Sequence, residues 1–245
     1  MKIFGLIGKN IDYSFSRTYF NQKFSTEKIE ATYKNFDLTE ITEFPKLLRQ
    51  SSNIIGFNVT IPYKEAIIPF LDEVEDTAKE IGAVNTIKIK ADGTLKGYNT
   101  DFYGFTEALK PYLKPHHTKA LILGTGGASK AVSYALRKLG LKVSFVSRTK
   151  SPNKLTYEEV TPEIMQEYNL IINCTPLGTF PNIEQFPPIP TQSLSPKHLV
   201  FDLIYNPSHT KLLNLALNQN AEVANGLAML EFQAEKAWEI WNQEF

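Results

Sequence analysis

Along the first hundred residues, short runs of β-branched and aromatic residues alternate with stretches whose apolar positions recur at helical spacing. Residues 2–8, 31–38 and 53–60 read as strands, and residues 16–24 after Ser14-Phe15-Ser16 read as a helix. Residues 41–51 are mostly helical, and residues 75–82 form a short acidic helix. From Ala83 to Asp101 two alternating runs flank Asp92-Gly93, the signature of a β-hairpin turn. Strands separated by helices predict parallel pairing, and the hairpin adds antiparallel edges.

After Asp101 the pattern changes. A helix over residues 102–113 leads to a second unit, in which residues 119–150 read as strand, glycine turn, amphipathic helix and strand. Residues 169–178 and 198–207 are two further strand-then-loop units, separated by a Pro-rich surface loop over 179–196. A helix starts near Thr210, and a long one closes the chain with Leu230, Ala234, Ala237 and Trp241 as its apolar stripe. The fold class predicted is α/β with two domains. The first spans 1–101, joined by the last helix (227–245) packing back on it, and the second spans 102–226.

Composition adds exclusions. Lys+Arg and Asp+Glu are each 26 in 245 residues, so a phosphate-backbone binder with a basic excess is not expected. Cys174 is the only cysteine, so no internal disulfide forms. The apolar run at the start is cut by Gly5 and Gly8, too short for a signal peptide or membrane span. The expectation is a cytoplasmic protein, without nucleic-acid or membrane partners.

Two stretches carry candidate chemistry. Gly124-Thr125-Gly126-Gly127-Ala128 follows a buried strand and opens a helix, the context of a dinucleotide turn. Glycines allow close approach to a pyrophosphate, and the helix start offers N–H groups and positive partial charge. The spacing is not a clean GxGxxG, since Ala128 and Ser129 occupy the places after Gly127, and a plain tight turn or an S-adenosylmethionine site has the same look. The next strand ends in Ser147-Arg148-Thr149-Lys150, where an NAD unit usually carries an acid. An arginine there grips a 2′-phosphate, Thr149 and Lys150 add donors, and the cofactor predicted is NADP.

The other stretch is Gly56 to Ala66, a buried strand that delivers Lys64 to its own end. Lys64 is either a solvated helix-start residue or a cation aimed at a site. Reduction of a carbonyl by a nicotinamide hydride needs a proton donor. The four histidines (His116, His117, His198, His209) are scattered in or near loops and give no zinc spacing, with His116-His117 read as a solvated linker. No metal is predicted, and lysine or tyrosine is left as the donor.

The blocks Gly56–Ala66, Ile81–Ile87, Gly97–Phe105, the glycine turn, Ser147–Thr149, Asn173–Gly178, Asp202–Pro207 and Gly226–Ala234 resemble, in order and over essentially the whole chain, those of shikimate dehydrogenases. Asn58-Val59-Thr60-x-Pro62-x-Lys64 and Gly97-x-Asn99-Thr100-Asp101 are specific to that family; the glycine turn is not. The resemblance implies two α/β domains with the active site in the cleft between them. It also implies an NADP-dependent oxidoreductase that interconverts 3-dehydroshikimate and shikimate in chorismate and aromatic amino-acid biosynthesis. Carried over by position, Lys64 is the catalytic acid/base and Asp101 its partner. Ser14, Ser16 and Tyr205 contact the substrate carboxylate, and Thr60, Asn85 and Gln233 its ring hydroxyls. Gly124, Thr125, Gly126, Gly127 and Ala128 hold the pyrophosphate, Arg148 and Thr149 the 2′-phosphate, while Thr175, Leu203 and Gly226 line the nicotinamide.

Each has a plainer reading: helix capping for Ser14 and Asp101, a turn residue for Asn85, a helix's polar face for Gln233. Asn58 and Asn99 brace loops, and Cys174 is a small buried residue. Ser147 and Thr179 stand where the family often has Asn and Met, and no second arginine follows Lys150. These departures weaken the preference for NADP over NAD and leave the catalytic pair untouched. The alternatives are a quinate/shikimate dehydrogenase with relaxed substrate or NAD use, and a non-catalytic dinucleotide-binding protein. Monomer and homodimer are both open.

Overall fold

The structure is a computed structural model that describes residues 1–12, 14–49 and 53–243. Gln50 and Ser51, part of one expected helix, lie outside the described residues. The chain divides into two units: Met1–Thr100 with Gln233–Phe245, and Asp101–Phe232.

In the first unit β1 (Lys2–Gly8), β2 (Ala31–Asp37), β3 (Ile54–Val59), β4 (Glu73–Val74), β5 (Thr86–Ile89) and β6 (Leu95–Tyr98) form one sheet. Its order is β2-β1-β3-β5-β6-β4. β1 pairs in parallel with β2 and β3, whereas β5 runs antiparallel to both β3 and β6. The hairpin forms at the expected place: Gly93 has φ +88°, and the Asp92 side chain accepts from Thr94 N at 2.9 Å.

Alternation along these strands sends side chains to two faces. Ile7, Phe57, Val59 and Ile87 pack with Phe44 of α2 (Phe44–Arg49) and Ala78 of α3 (Asp76–Ile81). On the other face Phe4, Leu6 and Tyr33 pack with Phe20 and Phe24 of α1 (Phe15–Thr26). Ala234, Ala237 and Trp241 of the last helix join that same cluster. The Trp241 indole N–H donates to Ile87 O at 3.0 Å, which ties the helix to the sheet.

The second unit contains α4 (Asp101–Leu109), β7 (Lys119–Leu123), α5 (Gly127–Lys138), β8 (Lys142–Ser147), β9 (Lys154–Thr156) and α6 (Pro162–Glu167). β10 (Leu170–Asn173), β11 (Leu199–Asp202), α7 (Lys211–Leu217), β12 (Glu222–Asn225) and the start of α8 (Leu227–Asn242) complete it. Its sheet is parallel throughout, in the order β9-β8-β7-β10-β11-β12. That is the doubly wound order of dinucleotide-binding folds, with the switch point between β7 and β10.

Both faces of this sheet are covered, so its central strands are apolar throughout. Ala120, Ile122, Leu170, Ile172, Leu199 and Phe201 face α4, α5 and Met229 of α8. Leu121, Leu123, Ile171 and Val200 face Met165 of α6 and Leu212, Leu213 and Ala216 of α7. The Pro-rich stretch 179–196 is irregular, apart from a 3₁₀ turn at Thr191–Ser193. His116 is exposed, but His117 is buried rather than solvated, because its Nδ1 accepts from Lys114 N at 3.1 Å and folds the ring inward.

Candidate active-site residues

In the first unit a buried polar network joins two of the expected positions, Asn85 and Gln233, to their supports. The Asn85 side-chain oxygen accepts from Thr100 N at 2.6 Å, and its amide nitrogen donates to Thr100 Oγ1 at 3.0 Å. The same nitrogen donates to Gln233 Oε1 at 3.4 Å, and Thr100 Oγ1 reaches that oxygen at 3.5 Å. Asn58 donates to Asn85 O and to Thr86 Oγ1, and accepts from the Tyr33 hydroxyl at 2.7 Å. Burial pushes the ionisation of that phenol well up. Gln233 is therefore not on the polar face of its helix; it is 6% exposed.

Ser14 caps α1, accepting from Arg17 N at 3.1 Å, and remains half-buried. Asn99 donates to Ala83 O at 2.9 Å, the bracing role expected of it. Thr60 closes β3: its N–H donates to Ile7 O and its carbonyl accepts from Tyr63 N, which starts a run of turns rather than a helix. Lys64 lies in that run, half-buried, with its carbonyl accepting from Val84 N at 2.7 Å. The backbone at Lys64 is thus pinned to the segment that carries Asn85.

The second unit holds the rest. Asp101 is the first residue of α4 and 6% exposed. Gly124 has φ +99°, which only glycine adopts without strain. Gly126 is the extended N-cap of α5, and a Cβ added there would meet nothing within 4 Å. Thr125 and Gly126 are exposed, so the first N–H groups of a 12-residue helix face open space. Ser129, where a third glycine is usual, turns its hydroxyl back onto Gly126 O at 2.7 Å and is buried without disturbing the turn. A pyrophosphate fits this arrangement: open space stands where a side chain would block its approach.

Thr175 and Leu203 are placed by close backbone contacts. A Cβ on Gly124 would lie 3.0 Å from Thr175 Cγ2, and one on Gly226 only 2.0 Å from Leu203 O. Thr175 thus packs on the glycine turn, at the switch point between β7 and β10, and Gly226 sits against Leu203. Arg148 and Thr149 follow the end of β8 and are exposed, with Thr149 N donating to Ser147 Oγ at 3.2 Å. The Lys150 ammonium, exposed beside them, pairs with Glu159 at 2.6 Å. Tyr205 is exposed in the loop after β11. Burial raises the Cys174 thiol, and the carboxylate of Asp202 adds to it, so a nucleophilic thiolate is disfavoured.

One group was not legible in the sequence. Asp202, at the end of β11, is fully buried and accepts from Asn173 Nδ2 (3.0 Å), Ile204 N (3.1 Å) and Thr210 Oγ1 (2.7 Å). Burial pushes its carboxyl up, these hydrogen bonds pull it partly back, and together they leave it at about 6. Among the described residues no group of three or more His, Cys, Asp or Glu is placed to hold a metal ion. No helix among them is long and apolar enough to cross a membrane.

The family model for the shikimate dehydrogenase substrate binding domain matches residues 6–87. A shikimate dehydrogenase (NADP(+)) of Clostridium botulinum is 40% identical over 248 residues, covering 97% of this chain and 95% of its own. The crystal structure of shikimate dehydrogenase from Aquifex aeolicus has a TM-score of 0.87 at 36% identity, covering 99% of this chain and 92% of that one. That of shikimate 5-dehydrogenase from Thermus thermophilus, in complex with NADP(H) and shikimate, has a TM-score of 0.87 at 33% identity, covering 99% and 94%.

Proposed function

The chain belongs to the shikimate dehydrogenase family, and from that footing we propose that it catalyses the reversible NADPH-dependent reduction of 3-dehydroshikimate to shikimate. The observation that carries the cofactor side is the glycine turn, set at the switch point of a fully parallel sheet against Thr175. On the substrate side it is the buried network of Asn85, Thr100 and Gln233. Neutral polar groups held this firmly suit a small polyhydroxy acid, because an analogue lacking a hydroxyl leaves a buried group unpaired.

When bound, NADPH supplies the hydride. Lys64 as an ammonium donates the proton to the carbonyl oxygen as negative charge develops there, and takes it back in the reverse direction. Asp101 orients that ammonium and accepts from the same hydroxyl. Ser14, Ser16 and Tyr205 hold the carboxylate. Thr60, Asn85 and Gln233 hold the ring hydroxyls. Backbone N–H groups of Thr125 to Ala128 bind the pyrophosphate, Arg148 and Thr149 the 2′-phosphate, and Thr175, Leu203 and Gly226 the nicotinamide side. On this reading the first unit is the substrate domain, the second the dinucleotide domain, and the enzyme works in the cytoplasm.

Oxidation of shikimate by NADP⁺ at the nicotinamide absorbance band tests the proposal. No turnover with the intact protein, or turnover on quinate alone, would refute it.

A further inference from the structure

We infer that Asp202 is a positioning residue for the dinucleotide site, acting through Asn173 to fix Thr175 against the glycine turn. The inference rests on the proposed dinucleotide reading and extends it to residues that touch no ligand.

The chain of contacts is continuous and largely buried. Thr175 N and Oγ1 both donate to Asn173 Oδ1, at 2.9 and 2.7 Å. Thr175 Oγ1 in turn accepts from Leu177 N at 3.3 Å, so the start of the β10 loop hangs on one amide oxygen. Which way that amide points is decided by its other end. Asn173 Nδ2 donates to Asp202 Oδ1 at 3.0 Å, and a carboxylate only accepts. With Asp202 opposite, the nitrogen must face β11 and the oxygen must face Thr175; a flipped amide would set oxygen against oxygen.

Asp202 orders the neighbouring loop with the same atoms. Its Oδ1 accepts from Ile204 N at 3.1 Å, which fixes the turn carrying Leu203, the residue whose carbonyl abuts Gly226. Its Oδ2 accepts from Thr210 Oγ1 at 2.7 Å, and Thr210 caps α7. One buried carboxylate therefore sets two loops, both at the end of the sheet where the glycine turn lies: Asn173 and Asp202 are register partners, and Asn173 pairs with Leu123 just before Gly124. An isolated buried carboxylate is costly, so its retention here suits a role that an apolar residue cannot fill.

The test is NADPH binding to the intact protein without substrate, read by nicotinamide fluorescence, alongside steady-state kinetics. Asp202→Ala should raise the NADPH dissociation constant about tenfold, the worth of one missing orienting hydrogen bond. The KM for shikimate should stay within about twofold of the parent at saturating NADP⁺. Asp202→Asn keeps an oxygen for Asn173 and Ile204 and should restore most of the affinity. If Asp202→Ala does not fold, Thr175→Val at a half-buried loop position removes the hydroxyl's bonds to Asn173 and Leu177, leaves the backbone N–H on Asn173, and should weaken NADPH several-fold. Parent-like NADPH affinity in Thr175→Val and in whichever Asp202 variant folds would overturn the relay. So would equal losses for NADPH and shikimate. Failure of the parent itself to bind NADPH would instead overturn the dinucleotide reading.

Discussion

The side-chain amide of Asn85 donates to the side-chain carbonyl of Gln233 at 3.4 Å, joining residues 148 positions apart. Thr100 contacts both, so three polar side chains from a strand end, a loop and the last helix converge in the buried interior of the first unit. Buried polar groups held together in this way resist reorientation, which suits them to reading hydroxyl positions. Gln233→Leu should lower kcat/KM for shikimate by roughly ten- to a hundredfold, the effect of deleting one hydrogen-bonding group from a built site. The KM for NADP⁺ should barely move. Equal losses for both substrates in steady-state kinetics would contradict the assignment.

Lys64 is assigned the proton transfer. Lys64→Ala should reduce kcat by about 10²–10⁴-fold, the usual contribution of a general acid. Calorimetric titration should show shikimate binding much less affected. A variant that retains most of its turnover would remove Lys64 from the mechanism.

Arg148 should discriminate between cofactors. Its guanidinium is exposed at the end of β8, available to a phosphate ester. Arg148→Ala should raise the KM for NADPH by about ten- to a hundredfold, the worth of a charge-assisted pair. The KM for NADH should hardly change. Parallel changes for the two would rule out a phosphate clamp.

The strands that sequence patterning captured are those with an unbroken apolar run. β10 and β11 are only four residues long, but Leu170-Ile171-Ile172 and Leu199-Val200-Phe201 mark them, and Asp92-Gly93 marks its hairpin. β4, β9 and β12 have two to four residues each and no such run. α6 is short as well, though Thr161-Pro162 is a capping residue followed by proline, a start signal that was there to be read. The apolar stripe of α8 was correct at Ala234, Ala237 and Trp241; Leu230 is only half-buried, and Met229 fills the core of the second unit instead. Candidate site residues stood out through their motifs. Their supports did not: Tyr33 with Asn58, or Asn173 with Asp202, meet only once separate strands pair.

The buried Asp202 also predicts a pH dependence of stability. Its carboxyl loses its proton at about 6 in the fold, against 3.8 for an ordinary aspartate, burial being the main cause. Folding thus favours the protonated acid. The stability this group contributes is fully present below pH 3.8 and is lost as pH rises through about 6. A gap of that size corresponds to about 3 kcal/mol. Asp202→Asn does not titrate, so its stability relative to the parent should improve as pH rises from 4 towards 6.5 and then level off. Urea unfolding of both proteins across that range checks this, and a pH-independent difference would contradict it.

The most direct measurement is the initial rate of nicotinamide reduction by the purified protein with shikimate and either NADP⁺ or NAD⁺. The expected result is turnover with a clear preference for NADP⁺ in kcat/KM. No reduction of either cofactor, or faster reduction of NAD⁺, would contradict the account.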